Sequence, residues 1–263
     1  QTEILEKPVN NLDLSVHILT CHWDFKMFFW SLVSYYKIFN IIGKLYIHND
    51  GTLNSKEINL IKQKFPSAVI IDARDFNEKY ADKLEKYPVF KKIRLKHFNF
   101  FSFKKIIDPY LASDKKMCLI FDTDMLWFKN PAEIENAIKN NCENLSYMQR
   151  NNKYKDKEIN KKLTDYNAGI ILYARENFNV KILSDYFESL DENNRDDLHF
   201  ADQTGHVKCL KKLKALPEDK YIIRGKVDEN IVAKHYTAPR RVLFYTEGIN
   251  KLKNKLLQNA QYK

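Results

Sequence analysis

Four short apolar runs, spaced by stretches with helical periodicity, occupy the first half of this chain, and that alternation restricts it to an α/β fold with parallel strands. Ser15 to Cys21 (Ser-Val-His-Ile-Leu-Thr-Cys) is the first run, and Phe28, Leu32, Tyr35 and Phe39 then recur on one helical face. Lys44 to His48 is the second, closed by the turn signal Asn49-Asp50-Gly51. Asn54 with Glu57 has capping-box spacing, and Ile58, Ile61 and Phe65 share a face until Pro66. Ala68 to Asp72 is the third run, Phe98 to Leu111 reads as a helix, and Met117 to Phe121 is the most apolar run of the four. A strand that is apolar throughout belongs in the middle of a sheet, covered on both faces.

The second half is less regular. Asn130 as N-cap, Pro131 at the first helical position and Glu133 in the first turn predict a helix start. Strands are expected at Leu145 to Met148, Ala168 to Tyr173 and Asn230 to His235, and helices at Lys181 to Leu190 and Gly248 to Gln258. With 263 residues and 44% hydrophobic content the chain can build one large core, and 6 Gly with 7 Pro exclude collagen-like or linker-like chains.

No window approaches the ~20 apolar residues of a bilayer span, and the amino end has no basic region followed by an apolar run. Cys21, Cys118, Cys142 and Cys209 are scattered without a metal or redox spacing, so they read as reduced thiols. Together these features predict a cytoplasmic protein. The net charge of +10 is localised: Arg150 to Lys162 has six bases against two acids, and Lys251 to Lys263 has four bases and no acid. The first segment reads as a surface loop or a lid. The second, with Leu252, Leu256 and Leu257, either packs on the domain or makes peripheral contact with an anionic membrane. Aromatics follow core periodicity instead of interleaving with bases, which argues against nucleic acid as a partner.

The chemistry concentrates where the most apolar strand ends, in Asp122-Thr123-Asp124. Ligands of open parallel sheets bind beyond the carboxyl ends of the strands. Two carboxylates one residue apart at such an end can share a hard divalent cation, and the cation can bridge diphosphate oxygens. An isolated Asp-x-Asp is more often a solvated turn. Here the buried strand before it and Leu126-Trp127-Phe128 after it hold the pair rigidly.

On these residues the sequence resembles the glycosyltransferases of the A-type (GT-A) fold, and more loosely family 8, the branch typified by glycogenin and bacterial galactosyltransferases. In that branch a run like Phe101 to Leu111 precedes a strand ending in the acidic triplet, as Met117 to Asp124 does here. Tyr166-Asn167-Ala168-Gly169 looks like the segment lining the donor sugar. Ala201-Asp202-Gln203 looks like the acidic-amide pair near the sugar hydroxyls, and Lys234-His235-Tyr236 like the late histidine that completes the metal site. The family's glycine and lysine beyond that histidine are replaced by Ala238-Pro239-Arg240-Arg241.

The resemblance implies a single GT-A domain over 1–263: a mixed, mostly parallel sheet flanked by helices. Within it, about 14–130 would form the nucleotide-sugar-binding half, about 131–245 the acceptor and metal-completing half, and 246–263 a basic terminal helix. It implies Mn²⁺ or Mg²⁺ on Asp122, Asp124 and His235, with Asp122 shared with the donor, and a nucleotide-sugar donor, UDP-sugar first. The acceptor would be a glycan, glycolipid or protein hydroxyl. Thr20, Trp23 and Asp24 would sit near the nucleotide base, Lys104 would face the donor, and Asn167 and Gly169 would line the sugar. Arg240 or Arg241 would take over the diphosphate clamp, and Asp202 and Gln203 would act at the sugar, Asp202 as orienting group or general base.

Blander readings stand beside these. Asp202 and Gln203 also suit a helix cap, Trp23 a core position, Lys104 a solvated surface, and Asn167 with Gly169 a tight strand entry. Two rival functions use similar parts. A nucleotidyltransferase would carry a glycine-rich phosphate loop after the first strand, but Thr20 to Lys26 contains no glycine. A basic nucleic-acid-binding module would rest on the charged segments alone.

Overall fold

The computed structural model describes residues 4–96, 101–140, 145–149, 166–191, 198–210 and 213–261. The basic segment 150–162 and Cys142 lie outside them. The remaining cysteines are free thiols, with Cys118 and Cys209 buried.

The first half follows the sequence pattern closely. β1 (Leu14–Thr20), buried at every position, leads into α1 (Phe25–Ile38), which turns Phe28, Leu32 and Tyr35 inward. After β2 (Lys44–Asn49) comes α2 (Ser55–Lys64), started by the predicted capping box: the Asn54 side chain accepts from Glu57 N–H, and the Glu57 carboxylate accepts from Asn54 N–H. β3 (Val69–Asp72) follows. The charged stretch beyond it, unassigned by periodicity, folds as α3 (Phe76–Lys79), α4 (Ala81–Glu85) and α5 (Pro88–Lys96). α6 (Phe101–Ala112) then enters β4 (Met117–Phe121), again buried throughout. Complete burial of Leu119 and Ile120 contributes roughly 1.5–3 kcal/mol each, enough to hold the strand end firmly.

Beyond β4 come β5 (Met125–Trp127), α7 (Ala132–Lys139), β6 (Leu145–Gln149), β7 (Tyr166–Ala174), α8 (Val180–Glu188) and α9 (Ala201–Cys209). β8 (Leu213–Ala215), β9 (Tyr221–Ile222), β10 (Ala233–His235) and α10 (Ile249–Gln261) complete the described chain. Two expectations shift. α7 begins one residue late, with Pro131 at the N-cap and no side-chain cap, because Ala132 N–H bonds the Asn130 carbonyl in a turn. The predicted strand Asn230 to His235 shortens to three residues, since only those find partners on β5 and β9.

A seven-stranded sheet has the order β3-β2-β1-β4-β7-β6-β8, with β4 at its centre as the apolar run predicted. β1, β2, β3 and β4 pair in parallel and β7 runs antiparallel between β4 and β6, so the sheet is mixed and mostly parallel, with helices flanking it. A smaller sheet, β5-β10-β9, is built beside the end of β4. α9 packs on α6, α8 and β7. Gly205 permits this approach, since a Cβ there would lie 2.8 Å from Ile106 Cδ1 and 2.9 Å from Leu183 Cδ1. No described helix is long and apolar enough to cross a membrane, and Leu252 of the basic terminal helix is fully buried against Met27, Leu126 and Phe128.

Besides His235, three histidines are buried among the described residues. His17 and His48 meet across β1 and β2, Nδ1 to Nε2 at 2.9 Å, and His206 donates from Nδ1 to the Asp202 carbonyl at 2.7 Å. Burial pushes His48 and His206 from 6.5 down to about 3 and His17 well below its usual value. The unfolded chain therefore binds more protons than the folded one between pH 6.5 and about 3, and stability falls as pH drops through that window. The expected slope is on the order of 1 kcal/mol per pH unit for each histidine. Urea unfolding measured from pH 7 to 4 should show this decline, and His206→Gln should make it shallower.

Candidate active site

Local backbone geometry explains why the acidic turn projects beyond the sheet. At the end of β4, Asp122 N–H donates to the Gly169 carbonyl of β7, and Met125 N–H donates back to the Asp122 carbonyl. That turn sends β5 into the small sheet, where its register sets Met125 opposite His235, and Tyr236 N–H bonds the Asp124 carbonyl. His235 thus stands beside the turn although 111 residues separate it from Asp124.

Ligand atoms of Asp122, Asp124 and His235 lie within 4.8 Å of one another. His235 Nε2 is 2.9 Å from Asp124 Oδ1 and 3.4 Å from Asp122 Oδ2. Its other nitrogen, Nδ1, faces Asn167 Oδ1 at 2.8 Å, and Gly169 N–H donates to the same oxygen at 2.9 Å. The amide oxygen accepts both, so the proton resides on Nδ1 and Nε2 is aimed at the carboxylates, the outer-shell arrangement typical of a ligating histidine. Gly169 serves as a cradle for this ring: a Cβ there would sit 2.3 Å from His235 Nδ1. Gly169→Ala should displace the imidazole and cost roughly 1–3 kcal/mol of stability. Thermal unfolding and a Mn²⁺ titration of that variant check both effects.

Two basic residues surround the acids. Lys105, on α6 with 5% of its side chain exposed, approaches Asp122 Oδ1 at 2.6 Å and Asp202 Oδ2 at 3.5 Å. Burial pulls its pKa down, but the two carboxylates outweigh this and hold it above the usual lysine value. Arg241 donates from Nε to Asp124 Oδ2 at 3.0 Å and from Nη1 to Asp24 Oδ1 at 2.9 Å. Burial would raise Asp124, yet His235 and then Arg241 reverse that and hold the carboxyl at about 2. Asp24 and Asp202 are both raised, chiefly by burial, against the lowering pull of Arg241 and Lys105 respectively.

Two carboxylates and an imidazole oriented from behind by Asn167, all converging on one point, fit a hard divalent cation such as Mn²⁺ or Mg²⁺.

Most sequence-selected residues converge here. Asp24 is the N-cap residue of α1, and Thr20 closes β1 behind it. Trp23 is 86% exposed, so it is not a core residue. Asp202 lies in the first turn of α9, but Phe200 is the N-cap, so Asp202 is not a capping residue; Gln203 contributes its backbone N–H to the Asp202 carboxylate. Arg240 belongs to the turn closed by its N–H to the Thr237 carbonyl, and it is the adjacent Arg241 that reaches the acids. Lys104 is buried rather than solvated and feels Asp108 and Arg94, and the lysine paired with Asp122 and Asp202 is its neighbour Lys105. Periodicity could not separate the two, because α6 is buried around its whole circumference from Ser102 to Leu111.

No protein-family model and no curated protein matches the chain by sequence. Solved structures do match in fold. An active-site mutant of LgtC superposes with a TM-score of 0.55 at 10% identity, covering 93% of this chain and 95% of its own. Mouse xyloside xylosyltransferase 1 gives 0.53 at 11% identity, over 87% and 98%. The glycosyltransferase GlyE of Streptococcus pneumoniae gives 0.57 at 12% identity, over 93% of this chain and 63% of its own. The chain has the GT-A glycosyltransferase fold.

Proposed function

We propose that this protein is a metal-dependent glycosyltransferase that moves a sugar from a nucleoside-diphosphate donor, UDP-sugar foremost, to an acceptor hydroxyl in glycan, polysaccharide or glycolipid assembly. The observation that carries the reading is the meeting of Asp122, Asp124 and His235 at the carboxyl end of the central strand of a GT-A sheet. The likeness to family 8 motifs supports it, as do neighbours in fold that are glycosyltransferases. The nucleotidyltransferase and nucleic-acid-binding readings find no such support.

Asp122, Asp124 and His235 would hold Mn²⁺ or Mg²⁺, which when bound supplies positive charge to the departing diphosphate. The remaining work falls to the chain. Thr20, Trp23 and Asp24 border the nucleotide base, with Trp23 exposed for stacking. Asn167 and Gly169 orient His235 and line the sugar side. Asp202, paired with Lys105, orients a sugar hydroxyl or accepts the acceptor's proton as the bond from the anomeric carbon to the diphosphate breaks and the new glycosidic bond forms. On this reading about 14–130 is the donor half and about 131–245 the acceptor half.

The test is calorimetric binding and hydrolysis of a panel of UDP-, GDP- and CMP-sugars with and without Mn²⁺. Metal-dependent binding of one nucleotide sugar supports the reading. No binding to any of them with Mn²⁺ present sinks it.

A further inference from the structure

Both carboxylate oxygens of Asp124 already have basic partners. His235 Nε2 is 2.9 Å from Oδ1, and Arg241 Nε donates to Oδ2 at 3.0 Å. A divalent cation that takes Asp124 therefore meets a guanidinium on the same group, and two such charges side by side repel. The two cationic side chains at the cluster differ in how firmly they are held. Lys105 is 5% exposed on a buried helix, whereas 43% of the Arg241 side chain is exposed, and Arg241 lies in the turn between β10 and α10.

Arg241 also has a second anchor. Its Nη1 donates to Asp24 Oδ1 at 2.9 Å, and Thr123 Oγ1 contacts the other Asp24 oxygen at 3.5 Å. A side chain tethered at Asp24 can let go of Asp124 without leaving the site. Its planar fork of donors also matches phosphate oxygens better than a single ammonium does.

We infer that Arg241 is an exchangeable counter-ion of the acidic site, competing with the divalent cation for Asp124 and turning to the diphosphate when cation and nucleotide bind together. The inference rests on the function proposed above. It makes one side chain oppose the cation alone yet favour the cation–diphosphate pair, which is a coupling between the two ligands.

The experiment is calorimetric titration of the full chain with Mn²⁺ alone and with UDP at saturating Mn²⁺, for the wild type, Arg241→Met and Arg241→Lys. Arg241→Met keeps the apolar stem and removes the charge. It is expected to bind Mn²⁺ alone about 10-fold more tightly and UDP with Mn²⁺ about 10-fold more weakly, a typical coupling magnitude. Arg241→Lys keeps the charge without the fork, so Mn²⁺ affinity should stay near wild type while UDP affinity falls; Arg241→Gln, which also removes the charge and should tighten Mn²⁺ binding, carries the test if Arg241→Met does not fold. A loss of affinity for both ligands in Arg241→Met would mean a structural role and overturn the inference. Unchanged Mn²⁺ affinity would mean a simple phosphate contact; it overturns the inference and leaves the proposed function standing. Failure of Mn²⁺ to bind either the wild type or Arg241→Met overturns both.

Discussion

Replacing Asp124 by Asn is expected to lower sugar transfer by ~10³-fold, the scale set by removing a fixed electrostatic group from an active site. Asp124 is buried, and His235 and Arg241 hold its carboxyl at about 2, so it is ionised at every working pH. The amide is close in shape and removes that charge. It also turns one donor group towards His235 Nε2 or Arg241 Nε, both of which point at the wild-type oxygens. Metal affinity should fall with activity, because an amide oxygen is a poorer ligand for a hard cation than a carboxylate. Initial rates with the donor identified by the binding panel, together with a Mn²⁺ titration, measure both. Unaltered Mn²⁺ affinity in the variant would remove Asp124 from the metal site, whatever happened to the rate.

Lys105→Met should have the largest effect on stability, a loss of roughly 3–5 kcal/mol, as when one partner of a buried ion pair is removed. Lys105 is the cation shared by Asp122 and Asp202, and Asp202 is itself buried. Methionine fills the same space and leaves both carboxylates facing each other without a positive charge between them. Urea unfolding reads the loss directly. Lys105→Arg, which keeps the charge, should recover most of the stability, so a deficit equal to that of Lys105→Met would show that shape matters there and charge does not. If Lys105→Met unfolds at the wild-type urea concentration, the lysine contributes nothing measurable to holding the cluster.

These two expectations follow from a set of shared ion pairs assembled from distant parts of the chain. Asp24 comes from the start of α1, Lys105 from α6, Asp122 and Asp124 from the end of β4, Asp202 from α9, and His235 and Arg241 from the segment around β10. Each carboxylate is offset by a lysine, an arginine or a histidine on a different element, so substitution at one position should be felt at the others.

Much of this was legible in the sequence because the relevant signals are local. Apolar runs marked β1, β2, β3 and β4 to within a residue or two, helical spacing placed α1 and α2 between them, and the complete apolarity of Met117 to Phe121 placed β4 at the centre of the sheet. The acidic turn was visible as two carboxylates ending the most apolar strand, whereas His235, Asn167, Gly169, Asp202 and Arg241 came into view only through the resemblance to family 8 motifs. What only the tertiary structure decided was which neighbour reaches the acids. Lys105 was chosen over Lys104 by the packing of α9 on α6, and Arg241 over Arg240 by the turn that follows β10. The small β5-β10-β9 sheet, which sets His235 opposite Met125, was likewise out of reach of periodicity. Strand and helix periods are properties of adjacent residues, whereas these choices depend on contacts between segments about a hundred residues apart, and no local pattern records them.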